Sequence, residues 1–249
     1  MCRLLFVSGS PAEYEIREIL IRFRRLSEYG NIPAGSAKGH KDGWGLVTIG
    51  NGRPEKEFRN AGDAFSDPLY ADGVDAIVTS RPRAIMGHLR KAFVGAGTIE
   101  NTQPYISGAY VMGHNGTVFG AEDFPLEHSK NLIQGESDSE RLFYFLVERA
   151  RDGEACRNDV ESAIRDIAAH HDYTAMNLLF FDGRQLLAHR DINMENADVR
   201  EYDLENYYSL FLGTEPSGRF SVVCSEALPL DGVEWRLLEN RETVTIPLA

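Results

Sequence analysis

Short apolar runs punctuated by turn residues occupy most of the chain, and each run predicts a strand. Arg3–Ser8 is apolar and β-prone. GWGLVTIG (43–50) leads through Asn51-Gly52, a hairpin signal, into EKEFR (55–59). AIMGHLR (84–90) and AYVMGHNGTVF (109–119) are two further strands that end in polar residues. AMNLLFFDG (175–183) and QLLAHR (185–190) are joined across Asp182-Gly183, and RFSVVCSE (219–226), EWRLL (234–238) and ETVTIP (242–247) complete the set. Helical periodicity is rarer. Residues 11–30 begin with Pro11, end with Gly30 and place Ile16, Ile19, Leu20 and Phe23 on one face. Residues 137–153 align Leu142, Phe143, Leu146 and Ala150, and a third helix around 158–170 carries Val160, Ile164 and Ile167. Many strands with few amphipathic helices predict an α+β layered domain in which helices cover mostly antiparallel sheets.

Composition narrows the function. With 26 basic against 38 acidic residues the 249-residue chain carries a net charge of −12, which repels phosphate backbones and anionic bilayers; neither nucleic acid nor membrane is expected as a partner. No apolar run approaches the ~20 residues of a membrane span, and the opening segment is too short for a secretory signal, so a cytoplasmic location is expected. Cys2, Cys156 and Cys224 are odd in number and have no CxxC spacing, which argues against a disulfide framework and a zinc site. No phosphate-binding glycine pattern follows a strand. Neither metal nor organic cofactor is expected.

Four stretches are too polar and glycine-rich for plain strand ends: GHKDGWG (39–45), GHLRKAF (87–93), ENTQPY with GHNG (100–105, 113–116) and GESDSE (135–140). Each has an ordinary structural reading as loop, strand end, turn or capping box; in the last, Ser137 would cap a helix and Glu140 close the box. Taken together they fit acyl transfer. If Met1 is removed, Cys2 carries a free α-amine whose pKa, ~7.7–8, lies near that of a thiol, ~8.5, so one residue supplies nucleophile and base. The Asn115 amide and the Gly116 N–H suit an oxyanion hole. Arg90 and Asp138 suit the carboxylate and ammonium of a free amino acid, by bidentate pairing and by a carboxylate at a helix start. Cys156 and Cys224 are expected as fillers, His40 and His88 as loop-orienting residues, Asp42 as a loop anchor, and Trp44 as packing beneath the loop behind Cys2.

With MCRLL, HKDGWG, GHLRKA, ENTQPY, GHNG, SDSE, MNLLFFDG and VVCSE in this order, the chain resembles the class II glutamine amidotransferases of the N-terminal-nucleophile hydrolase superfamily, in particular their small stand-alone bacterial and archaeal branch. The resemblance implies a four-layer αββα sandwich over a single domain, residues 2–249. It implies Cys2 as nucleophile and base, Asn115 and Gly116 as oxyanion hole, Arg90 on the glutamine α-carboxylate and Asp138 on the α-ammonium. The implied reaction releases ammonia and then glutamate through a γ-glutamyl thioester. The chain is expected to end where such a domain is complete, so an ammonia-accepting synthase would be a separate protein. Two alternatives stay open: hydrolysis of another γ-glutamyl compound, as in an ergothioneine-pathway branch, and a catalytically idle amino-acid-binding module. Two positions depart from the pattern. Phe93 stands where many relatives carry a small hydroxyl residue, and Asn101-Thr102-Gln103-Pro104 replaces Asn-x-His-Pro. Phe93 would narrow the pocket or replace a polar contact.

Overall fold

A computed structural model describes residues 2–33, 36–92, 95, 97–150, 155–201 and 207–248. Met1 and Phe93, on which two expectations rest, lie outside the described residues. In chain order the elements are β1 (Arg3–Gly9), α1 (Glu13–Tyr29), β2 (Trp44–Gly50), β3 (Arg53–Asn60), α2 (Pro68–Ser80), β4 (Ala84–Leu89), β5 (Tyr105–Ser107), β6 (Tyr110–Asn115), α3 (Asp138–Arg149), α4 (Ala155–His170), β7 (Asn177–Phe181), β8 (Gln185–Arg190), α5 (Ala197–Glu201), β9 (Phe211–Thr214), β10 (Phe220–Cys224), β11 (Glu234–Leu237) and β12 (Glu242–Pro247).

Two antiparallel sheets form the middle of the molecule. One runs β11-β9-β10-β1-β4-β2-β3 and the other β12-β8-β7-β6-β5. The continuous apolar run at the chain start follows from position: β1 is central and covered on both faces. Leu4 and Phe6 join Met86, Val111 and Leu179 in the core between the sheets. Leu5 and Val7 point the other way, against Ile16, Leu20 and Phe23 of α1 and Tyr70 and Ile77 of α2. On the far side, α3 and α4 cover the second sheet through Leu142, Leu146, Val160 and Ile164. The layers are therefore α, β, β, α, as the resemblance implied. Gly113 lets the sheets approach: a Cβ there would lie 3.0 Å from Leu4.

Both hairpins form as the dipeptides indicated. Asn51 and Gly52 adopt φ of 52° and 75°, the left-handed pair a type I′ turn requires. Asp182 accepts the Arg184 and Gln185 N–H groups in the second hairpin. The sequence reading did not anticipate α2, β5, β9 or α5. The start signal of α2 was present, since Asp67 accepts the Leu69 N–H and Pro68 follows it; Gly73 and the β-branched residues Val74, Ile77 and Val78 obscured the helical pattern. Gly73 seats the Phe58 ring, 3.2 Å from where a Cβ would stand. β5, β9 and α5 span three to five residues each, too short for a period to register.

Candidate active site

Cys2 lies immediately before β1 and is 8% exposed. Its backbone nitrogen donates to Asn115 Oδ1 at 2.7 Å, across 113 residues and from one sheet to the other. Arg3, wholly buried, donates from its guanidinium to the Cys2 carbonyl at 2.9 Å. The same guanidinium pairs with Glu226, bonds the Asn31 carbonyl and lies 4.4 Å from the Tyr207 ring centroid. Cys2 is thus gripped at both backbone ends. Arg3 was missed in the sequence, although a basic residue inside an otherwise apolar run is a visible anomaly.

Asn115 ends β6. With Oδ1 used by Cys2, its Nδ2 is buried and has no hydrogen-bond partner. Such an orphaned donor costs about 1–3 kcal/mol, so its retention points to an acceptor delivered from outside the chain. Gly116 follows because nothing larger fits: a Cβ would stand 1.8 Å from the Ala175 carbonyl oxygen. His114 fixes the turn from the other face of the sheet. Its Nε2 donates to that carbonyl at 3.2 Å and its Nδ1 accepts from Ser139 at 2.9 Å, burial keeping the ring neutral.

Arg90 continues β4 by one residue. Its N–H donates to the Gly43 carbonyl, and its carbonyl accepts the Asp42 N–H. The guanidinium is buried and reaches the Gly95 carbonyl at 3.2 Å. Asp42 anchors this loop as expected, accepting the Ala92 N–H at 2.8 Å. Asp138 opens α3, and its Oδ2 accepts the Val118 N–H at 2.8 Å. Ser137 caps the helix as expected, but Glu140 does not close the box. Its carboxylate accepts the Gln134 and Gly135 N–H groups, while the Ser137 N–H goes to Asn101. Asn101 therefore ties the Asn-Thr-Gln-Pro segment to the start of α3. Gln103 accepts the His114 N–H at 2.6 Å, and Gly45 lets the 103–104 backbone cross β2, where a Cβ would stand 2.3 Å from the Gln103 carbonyl.

Cys2, Arg90, Gly116 and Asp138 line one small cleft with Gln103 and Thr117, and Asn115 bonds Cys2 at its floor. All five candidate residues are thus brought together. Two expectations need correction. Trp44 packs not behind Cys2 but on the opposite face, its ring 5.0 Å from Tyr70 and its Nε1 bonded to Asp67. His88 orients no loop; it sits within β4, opposite Leu4, on the face that carries Met86 between the sheets.

Burial by itself would push the Cys2 thiol up, but the positive charges of the chain's amino terminus and of His88 outweigh it and bring the pKa down to about 6. Cys224, buried with no such counter-charge dominating, is pushed up to about 12. Because the thiolate is the reactive form, alkylation of Cys2 by iodoacetamide should be slow below pH 6 and reach its plateau above it. Mapping the modified peptide across pH checks this; a midpoint near 8.5, the ordinary thiol value, would remove the claim of an activated thiol.

The sequence matches the family described as glutamine amidotransferases class-II over residues 1–243. An uncharacterized protein of Methanocaldococcus jannaschii is 27% identical over 222 residues, 82% of this chain and 60% of that protein. Among solved structures, the allosteric regulatory enzyme of purine biosynthesis superposes with a TM-score of 0.67 at 20% identity, covering 99% of this chain and 47% of that one. A glutamine aminotransferase class-II domain protein of Silicibacter pomeroyi superposes with a TM-score of 0.62 at 20% identity, covering 98% and 94%. The chain thus spans only about half to three fifths of the first two proteins.

Proposed function

Because this chain belongs to the class II glutamine amidotransferase family, we propose that it hydrolyses the γ-amide of glutamine with Cys2 as nucleophile. The observation that carries the reading is the divided Asn115 amide: Oδ1 holds the Cys2 nitrogen while Nδ2 is buried and unspent. With Met1 removed, that nitrogen is an α-amine beside its own thiol. It takes the thiol proton as sulfur attacks the amide carbon, and returns it to the departing ammonia. The developing oxyanion accepts from Asn115 Nδ2 and the Gly116 N–H, donors that need no reorganisation as charge appears. Collapse leaves a γ-glutamyl thioester. Water, deprotonated by the same amine, then releases glutamate and restores the thiol.

Arg90 and Asp138 select the substrate by its two charges. The Arg90 fork holds the α-carboxylate. Asp138 Oδ2 is occupied by Val118, which leaves Oδ1 for the α-ammonium. Arg90→Lys should raise KM for glutamine at least tenfold with a smaller change in kcat, since a point charge cannot reproduce two parallel hydrogen bonds. Steady-state kinetics decide it, and an unaltered KM would mean the carboxylate is held elsewhere. The ammonia would pass to an acceptor-using synthase or to water.

Intact mass before and after treatment with 6-diazo-5-oxo-norleucine tests the whole reading. The expected result is a starting mass that lacks methionine and one stoichiometric adduct mapped to Cys2. A free Cys2 that stays unlabelled would overturn glutamine as substrate and direct profiling to other γ-glutamyl compounds.

A further inference from the structure

Arg3 is the anomaly of β1. The strand opens on an arginine with no solvent exposure, followed directly by Leu4 and Leu5. A buried guanidinium is costly unless paired, and a well-packed apolar side chain in its place is often as stable or more so. Stability of the fold is therefore a weak reason for this residue. Its contacts are specific. Nη1 donates to the Cys2 carbonyl at 2.9 Å and Nη2 to the Asn31 carbonyl. Nε pairs with Glu226 at 2.5 Å, and the guanidinium carbon lies 4.4 Å from the Tyr207 ring centroid.

The arrangement follows from strand register. β1 and β10 pair with Leu5 opposite Cys224, so Glu226, two residues beyond Cys224, comes level with Arg3. Ser225 fixes that end: its Oγ accepts the Leu4 N–H at 2.9 Å, and its own N–H donates to the Leu4 carbonyl at 3.0 Å. Glu226 also accepts the Asn31 N–H at 2.8 Å, which orients the carboxylate. The carboxylate meets Nε and the Cys2 carbonyl meets Nη1, so the positive charge stands between Glu226 and Cys2. Cys2 is thereby fixed at its nitrogen by Asn115 and at its carbonyl by Arg3. Backbone bond lengths added to that contact put the cation about 5 Å from the Cys2 nitrogen.

We propose that Arg3 is a positioning residue that holds the Cys2 α-amine against its own thiol and, as a permanent cation, keeps that amine an uncharged base near neutral pH. The proposal rests on the reading of Cys2 as the N-terminal nucleophile. A general base needs its lone pair free when the thiol gives up its proton, and a like charge at this range disfavours the ammonium. Arginine suits the task because it stays charged at every working pH. Besides Glu226 and Tyr207, the charged and titratable side chains around Cys2 are His88 of β4, His114 of β6, and Arg90, Lys91 and Asp138 in the cleft. Among the described residues, Arg3 is the charged side chain bonded to the Cys2 backbone.

The α-amine is titrated directly in the full chain by its pH-dependent acetylation with acetic anhydride. Thioesters are cleared with hydroxylamine and the N-terminal peptide is followed by mass. Arg3→Met, which keeps the bulk and removes the charge, should raise the amine pKa by about one unit. Glu226→Gln, which keeps an acceptor for Arg3 and removes the opposing charge, should lower it. Arg3→Lys should restore most of the titration but not kcat, since one ammonium cannot hold two carbonyls and a carboxylate together. A merely structural role would lower Tm in these variants without moving the amine in opposite directions. An unmoved amine, or shifts of one sign, overturns the proposal, and Glu226→Gln decides it alone if Arg3→Met does not fold. Glutamine turnover with an unmoved amine overturns only this proposal. Opposite shifts in a chain that releases no ammonia uphold it and overturn glutamine hydrolysis instead. A chain that keeps Met1 has no Cys2 amine, and both fall.

Discussion

Cys2→Ala is expected to reduce glutamine hydrolysis to the uncatalysed background while the thermal transition stays within a few degrees of the parent. The large loss follows from covalent chemistry: alanine has no atom to carry the γ-glutamyl group, and the α-amine alone has nothing to activate except water. The small structural effect follows from position. Cys2 precedes β1, whose pairing with β4 and β10 and whose Leu4, Leu5, Phe6 and Val7 contacts do not involve the thiol. Ammonia release measured beside a melting curve separates the two quantities. Appreciable residual turnover in a folded variant would assign the nucleophile elsewhere. Glutamine binding that persists unchanged in the variant is compatible with an enzyme only if the parent releases ammonia; binding without release in the parent would mark an idle binding module.

The second large effect belongs to Asn115. Asn115→Ala should lower kcat by about 10²–10³, the usual loss of one oxyanion donor, with a smaller change in KM. That variant also loses the acceptor that positions the Cys2 nitrogen, so a fall in rate does not by itself identify the lost function. Asn115→Asp separates them, keeping an oxygen at Oδ1 and replacing only the Nδ2 donor. If oxyanion stabilisation dominates, aspartate should be no better than alanine and worse where its charge opposes the oxyanion. If positioning of Cys2 dominates, aspartate should recover much of the rate. A kcat unaffected by either change would place the oxyanion hole elsewhere.

Why some of this was legible in advance and some was not comes down to the range of the signals. The strands of the sheet interiors were readable because β1, β2, β4 and β7 are buried on both faces and so cannot avoid continuous apolar runs. The two hairpins were readable because left-handed backbone at Asn51, Gly52 and Gly183 restricts which residues can stand there. α1 showed its buried face and its Pro–Gly boundaries. By contrast, α2 mixes a glycine with β-branched residues, and only its place against Phe58 and the first sheet decides that it is a helix. The capping box was half right for the same reason. Ser137 acts on its own helix, whereas the partners of Glu140 depend on how residues 134 and 135 are folded back.

The site divides along the same line. The identities of Cys2, Arg90, Asn115, Gly116 and Asp138 are written in the chain, and local chemistry was enough to name a thiol, a fork, an amide beside a glycine and a carboxylate at a helix start. Their meeting was not. Cys2 reaches Asn115 because two sheets stack face to face, with Gly113 allowing close approach over Leu4. The same stacking buries His88 beside the thiol, brings Arg3 onto the Cys2 carbonyl and leaves Asn115 Nδ2 without a partner. Sequence by itself determined the elements and the chemical groups, because periodicity and turn chemistry act between near neighbours. Tertiary structure decided which groups face each other and which polar atoms go unpaired, because those depend on surfaces that meet only when distant segments pack.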